Sequence, residues 1–315
     1  MTAVGAAVED YLAMRRGLGY RMERQARSLR SFATWLDRCG HHGPIELATS
    51  VQWPAATAGA DPRNPARRLS SVRGFLRYLS VLDGATDIPP VGLLGPTTVR
   101  TPPHIYTHAE IDALLSATAA LAPVDGLRPH AYRTLFGLLA CTGMRVGEAL
   151  ALHCADVDPT GAIVTVQAGK GGRTRLVPLH LSAVEPLRDY TTDRADRFGP
   201  PPPHAAFLRT DTRERIGYEG ALSTFTRLRL ELGWTAQGRA RAPRVHDLRH
   251  TMVVHRITAW HAEGADLDAH LPSLATYLGH ANIVDLYWYF SAVPELMDMV
   301  ADRFAHQHDE AEGES

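Results

Sequence analysis

Five short segments of this 315-residue chain carry side chains suited to chemistry. They are Thr142-Gly143-Met144-Arg145-Val146-Gly147-Glu148, Gly169-Lys170-Gly171, His246-Asp247-Leu248-Arg249-His250, Leu278-Gly279-His280 and Tyr287-Trp288-Tyr289-Phe290. Among the 33 basic residues Lys170 is the one lysine; the other 32 are arginine. A guanidinium is planar and permanently charged, and it grips phosphate through two parallel hydrogen bonds. A lysine, with a pKa of about 10.4 that its surroundings can tune, can also give up a proton, which arginine (above about 12) in practice cannot. A phenol, at about 10, forms a phenolate with modest help and also departs well, which suits a reversible covalent step at phosphorus. The sequence has no carboxylate cluster or HExxH pattern to hold a metal ion for such a step. His246 and His250 could share a helical face as metal ligands do, but a third ligand at suitable spacing is missing. Around Lys170 the GxxxxGK[ST] pattern of a nucleotide phosphate loop is absent.

In their order and spacing these segments resemble the catalytic signature of the tyrosine recombinases, the phage-integrase family. The resemblance covers residues 107–300, with the helical N-terminal part similar in outline to that family's core-binding domain. It implies that Arg145 and Arg249 clamp the scissile phosphate, that His280 is a third donor to it, and that Lys170 protonates the departing 5′ oxygen. It makes Tyr289, nine residues after His280, the nucleophile. It also makes His246 an assistant in proton handling there, with Glu148 in support. Glu148 suits either orienting active-site groups or stabilising a helix start. Tyr287 and Trp288 read as packing, and His250 and His255 as structural. The implied activity is site-specific DNA recombination or integration through a 3′-phosphotyrosyl link. Its expected partners are double-stranded DNA carrying a target site and further copies of the chain, two per site and four in the synapse. No cofactor, metal or ATP is expected. A type IB topoisomerase-like enzyme and an inactive DNA-binding accessory protein are the competing readings. The segment around Tyr289 looks most like integrases of transposons and plasmids, which implies a mobile element.

Several elements must position these residues. Leu29, Phe32, Trp35 and Leu36 recur at helical spacing over 21–39, as do Leu69, Val72, Phe75, Leu76 and Leu79 over 64–82. Arg24, Arg27, Arg73 and Arg77 lie along these helices and suit either a solvated surface or contact with DNA phosphates. Prolines 89, 90, 96, 102 and 103 mark an extended linker. Thr107-His108-Ala109-Glu110 is a capping box opening a helix with Ile111, Leu114 and Leu115. A helix over 130–141 ends at Thr142-Gly143 and another starts near Arg145. Strands over 162–166 and 175–179 flank the glycine-rich turn at 168–172, and Pro200 to Pro203 read as a loop. From Tyr218 the pattern is helical again, with a long segment between Arg249 and His280. Leu296, Met297, Val300 and Phe304 form a late apolar stripe, suited to packing on its own domain or, as in the family, on a neighbouring protomer. The expected fold is mainly α in two domains. Residues 1–90 form a helical, SAM-like core-binding domain that clamps DNA, and 91–104 a linker. Residues 105–305 form a mainly α catalytic domain with a small antiparallel sheet, and 306–315 an acidic tail.

Composition bounds the rest. With 45% hydrophobic and 21% charged residues, the chain is too apolar for disorder and too long for one ordinary domain. Its apolar runs fall short of the roughly 18 residues a membrane helix requires, and the N-terminus does not read as a signal peptide. A soluble, cytoplasmic bacterial protein that meets the nucleoid when acting is expected. Cys39, Cys141 and Cys154 suggest neither a disulfide framework nor a zinc site. The net charge of −1 averages +5 over 1–100, −2 over 101–300 and −4 from Ala301 onward. A basic N-terminal portion and an acidic tail are compatible with DNA binding.

Overall fold

The computed structural model describes residues 3–20, 22–56, 64–97, 102–167, 174–212, 214–236, 241–280, 282, 286, 289, 296 and 297, with Arg24 described by its backbone alone. The chain divides into two compact units, Met1–Arg100 and Thr101–Ser315.

The first unit is built from helices α1 (Ala3–Gly17), α2 (Glu23–Arg38), α3 (Leu47–Ala56) and α4 (Asn64–Asp83). The two expected stripes form α2 and α4. Leu29, Phe32 and Leu36 meet Leu69, Val72, Phe75 and Leu76 in one core, joined by Val8 and Leu12 of α1 and Trp53 of α3. Phe32 and Trp53 pack with ring centroids 5.1 Å apart. Each fully buried large side chain of this kind contributes roughly 1.5–3 kcal/mol. The start of the proline-rich segment packs on this core. Arg73 donates to the Pro89 and Pro90 carbonyls at 2.9 and 3.0 Å, and Leu94 packs on the core.

The second unit opens as its capping box predicts. Thr107 Oγ1 accepts from the Glu110 amide at 3.1 Å, Glu110 Oε2 accepts from the Thr107 amide at 2.8 Å, and α5 (His108–Ala117) follows. Helix α6 (Leu127–Thr142) buries Leu127, Ala131, Leu135, Phe136, Leu138 and Leu139 and forms the spine of the unit. After the short α7 (Val146–Ala151) come strands β1 (Val157–Asp158), β2 (Ile163–Val166) and β3 (Arg175–Pro178), an antiparallel sheet in that order. Strand β1 was not expected, because two residues show no alternation. In the β2–β3 ladder Val164 pairs with Val177 and Val166 with Arg175, and the three valines point into the core. Helices α8 (Leu181–Phe198), α9 (Tyr218–Glu231), α10 (Asp247–Ala262) and α11 (Leu267–Leu278) complete the unit. The long stretch between Arg249 and His280 is filled by the body of α10 and by α11, which Asp266 caps through the amides of Asp268 and Ala269. Val253, Ile257, Leu271, Leu274 and Leu278 of these two helices form a further core with Leu286, Tyr289 and Leu296. Leu296 of the late stripe is thus buried in its own unit while Met297 is exposed; Val300 and Phe304 lie outside the described residues. Among the described residues no helix is long and apolar enough to cross a membrane.

Candidate active site

Two glycine corners organise the site. Helix α6 ends on Gly143, whose φ of +62° is the left-handed conformation glycine adopts without cost. A Cβ there would also lie 3.1 Å from Leu278 Cδ2 and 3.3 Å from Met252 Sδ. The corner turns the chain so that Arg145, in extended conformation, directly precedes α7. Glu148 reaches back one turn, and its Oε2 accepts from the Arg145 amide and its Oε1 from Arg145 Nη1, each at 2.9 Å. The second corner is Gly279 (φ +67°), which ends α11 and delivers His280.

Arg249, 3% exposed, links the corners from α10. Its Nη1 donates to the Gly143 carbonyl at 2.6 Å and its Nη2 to the Leu278 carbonyl at 3.0 Å. Burial and the like charge of Arg145 push it down to about 10, so it stays protonated at neutral pH. Asp247 opens α10 and is held by the Arg244 amide at 2.8 Å and Arg244 Nη2 at 2.7 Å.

Glu148, with an 8% exposed side chain, has a second arginine partner from β3. Arg175 Nη2 donates to its Oε2 at 2.8 Å and Nη1 to its Oε1 at 3.3 Å. Burial alone would raise the carboxyl, but the hydrogen bonds and charges of Arg175 and Arg145 outweigh it and hold Glu148 down at about 2. Glu148 therefore both closes the start of α7 and pairs with two arginines.

Tyr289 is 2% exposed, and its hydroxyl oxygen lies 2.8 Å from Nδ1 of His250. His246 meets His250 edge to face, with ring centroids 5.0 Å apart. His250, read from the sequence as structural, contacts the Tyr289 hydroxyl directly, and His246, expected to assist proton handling there, packs on His250. Burial, then the neighbouring His246, Arg244 and Arg249, push His250 down to about 3, which keeps it neutral at physiological pH. His246 is lowered for the same first reason and by Arg249. The half-buried His280 also contributes to the field at His250, which places it at the same centre.

Arg145, Glu148, His246, Arg249, His280 and Tyr289 are thus brought together. Lys170, Tyr287 and Trp288 lie outside the described residues. Two site members were missed. Arg175 was read only as the start of a strand, although a charge heading an apolar strand just after Lys170 was a signal. His250 sits one helical turn from His246, and that spacing was the clue. Of the N-terminal arginines, Arg27 and Arg77 are exposed, Arg73 is engaged with backbone carbonyls, and the Arg24 side chain lies outside the described set. Among the described residues no group of three or more His, Cys, Asp or Glu is placed to hold a metal ion.

The sequence profile of the phage integrase family matches residues 105–295. A Sinorhizobium fredii protein named as integrase/recombinase y4rB is 36% identical over 301 residues, covering 94% of this chain and 95% of its own. The tyrosine recombinase XerD of Caulobacter vibrioides is 30% identical over 260 residues, 79% of this chain and 78% of its own. The Tn1549 transposon integrase in complex with transposon right end DNA superposes with a TM-score of 0.66 at 16% identity, covering 96% of this chain and 100% of that one. The lambda integrase tetramer bound to a Holliday junction gives 0.62 at 14% identity, over 90% and 78%. At such identities these two structures speak to the fold, which is mainly helical with a small antiparallel sheet here as expected. The profile and the sequence relatives carry the assignment: the chain belongs to the phage integrase family and is a tyrosine recombinase, an enzyme of site-specific DNA recombination.

Proposed function

We propose that this recombinase binds double-stranded DNA at a specific target site and cuts it through Tyr289, with no metal ion or ATP. The Tyr289 oxygen attacks the scissile phosphorus, the bond to the 5′ oxygen breaks, and a 3′-phosphotyrosyl link keeps the bond energy for rejoining. Arg145, Arg249 and His280 hold the non-bridging oxygens as charge develops on them. Lys170 gives its proton to the departing 5′ oxygen, and the phenol proton leaves by way of His246 to solvent, with neutral His250 holding the Tyr289 oxygen. Glu148 keeps Arg145 in place.

The observation that carries this reading is the 2.8 Å approach of the Tyr289 hydroxyl to His250. It ties the nucleophile to the helix that also carries Arg249, whose own bonds reach the corner before Arg145. Residues 1–90 act as the core-binding domain, with Arg27 and Arg77, and Arg24 beside them, on DNA phosphates. Residues 105–305 act as the catalytic domain after a linker over 91–104, and 306–315 as an acidic tail. The working assembly has two copies on each site and four in the synapse, at the bacterial nucleoid, in the service of a mobile element. The similarity to a transposon integrase on DNA and to a lambda integrase tetramer on a Holliday junction supports this.

A nicked duplex carrying the target site tests the chemistry. The native chain traps a covalent protein–DNA adduct and Tyr289→Phe does not. An adduct that persists in Tyr289→Phe and vanishes in Tyr287→Phe moves the nucleophile to Tyr287.

A further inference from the structure

We propose that Arg175 is a positioning residue of this active site, locking three separately carried catalytic groups into one geometry. The inference rests on the roles given above to Arg145, Lys170 and His280.

Those groups arrive on three elements distant in sequence: the corner between α6 and α7, the turn between β2 and β3, and the end of α11. Arg175 bonds to Glu148 beside the first and to the end of α11, and it stands on the strand that follows the second. It heads β3, and its pairing with Val166 is the last described rung of the ladder before the turn that holds Lys170. Its Nη1 and Nη2 fork onto both oxygens of Glu148 at 3.3 and 2.8 Å, and Glu148 in turn binds the amide and guanidinium of Arg145. Its Nε donates to the Tyr277 carbonyl at 2.9 Å, three residues before His280. Gly279 passes so close that a Cβ there would lie 2.9 Å from Arg175 Nη1. The Arg175 side chain is only 11% exposed, so these bonds are made largely out of water.

The fork geometry explains the residue type. Three directed bonds in one plane fix the carboxylate, the α11 terminus and the strand relative to each other, and a lysine ammonium is a point charge without that fork. Without Arg175, Arg145 is the one charged partner left to Glu148 among the described residues, and the carboxylate loses its tie to the hairpin stem and, through it, to the α11 end. A displacement of about 1 Å of groups that must act together can cost on the order of 10²-fold in rate.

The test is single-turnover cleavage by the full chain, native, Arg175→Ala and Arg175→Lys, on three nicked target duplexes. One carries an ordinary scissile phosphate. Another carries a 5′-thio leaving group, which needs little protonation and so bypasses Lys170. The third carries a neutral methylphosphonate, which relieves the demand on Arg145. For Arg175→Ala the expectation is a rate loss of about 100-fold on the ordinary phosphate, with DNA affinity unchanged. The deficit relative to the native chain shrinks about tenfold on each altered substrate, by analogy with the loss of one positioned group. Arg175→Lys, which keeps the charge, falls between the two, and it carries the same test if Arg175→Ala does not fold. Equal deficits on all three substrates, or native rates throughout, overturn the proposal. Failure of the native chain itself to form an adduct instead refutes the Tyr289 mechanism on which it stands.

Discussion

Replacing Glu148 by glutamine removes one negative charge while keeping the shape of the side chain, and the structure sets the size and pH dependence of the effect. The carboxylate is 8% exposed and takes Arg145 and Arg175 at 2.9 and 2.8 Å. Removing one partner of a buried ion pair costs about 3–5 kcal/mol, and glutamine, which keeps one acceptor oxygen, belongs at the low end. The depressed ionisation gives the same magnitude independently. A carboxyl held at about 2 against an ordinary 4.5 contributes about 3 kcal/mol when ionised. Because its folded pKa lies below the unfolded value, that contribution is complete above 4.5 and is lost as pH falls toward 2. Urea unfolding of the native chain and of Glu148→Gln at pH 7, 5, 4 and 3 reads it directly. The stability gap stays at about 3 kcal/mol down to pH 5 and narrows to about 1 kcal/mol at pH 3. A gap as wide at pH 3 as at pH 7 refutes the reasoning, since the carboxylate would then not be the group whose ionisation the arginines stabilise.

Other predictions concern separate parts of the molecule. Gly143→Ala places a Cβ in the left-handed region and against Leu278 and Met252, and it lowers stability by about 1–3 kcal/mol in thermal unfolding; an unchanged midpoint contradicts a strained corner. Lys170→Arg binds the target duplex normally but cleaves it slowly, and a 5′-thio leaving group restores the rate; persistent slowness on the thio substrate removes the general-acid role. Arg27→Ala with Arg77→Ala weakens binding alike on target and unrelated duplexes and flattens the dependence of log affinity on log salt by about 2, one for each phosphate left without its arginine. An unaltered slope places both arginines away from DNA.

How far the sequence revealed these arrangements depended on the range of the interactions involved. Helices α2 and α4 were legible because Phe32 and Phe75 fall on clean apolar stripes against charged faces. Helix α1 was not, since alanines at 3, 6 and 7 give little contrast between its faces, and in α3 the one large buried anchor is Trp53. The first glycine corner was legible because Thr142-Gly143 is a local signal for ending a helix; Leu278-Gly279 was read only as part of a catalytic segment. Arg175 was not legible, because its partners lie 27 and 102 positions away, and a charge heading an apolar strand marks the residue without saying what it pairs with. The same holds for His250, whose contact with Tyr289 spans 39 positions. The basic N-terminal portion was evident from a charge count, but that Arg73 would hold the carbonyls of Pro89 and Pro90 depends on how the chain after α4 returns.

Under the proposed mechanism, the charges at the site also bear on why a carboxylate stands among the arginines. Arg145, Arg175 and Arg249 surround one ionised Glu148, an excess of two positive charges before Lys170 or any histidine is considered. A phosphodiester brings one negative charge, and attack by a phenolate adds a second in the transition state, so the excess matches the charge that forms during reaction. A mobile carboxylate would compete with phosphate for Arg145. With both its oxygens held by Arg175, Glu148 occupies Nη1 of Arg145, whose side chain is still 32% exposed. Arg249 is held differently, by the neutral Gly143 and Leu278 carbonyls, which orient the guanidinium without cancelling its charge. A cation so deeply buried is costly to hold, as its lowered pKa records. The arrival of an anion relieves that cost, and relieves it most when the anion is doubly charged. In the proposed mechanism, the strain of assembling like charges is therefore released along the reaction coordinate, which favours the transition state over bound substrate.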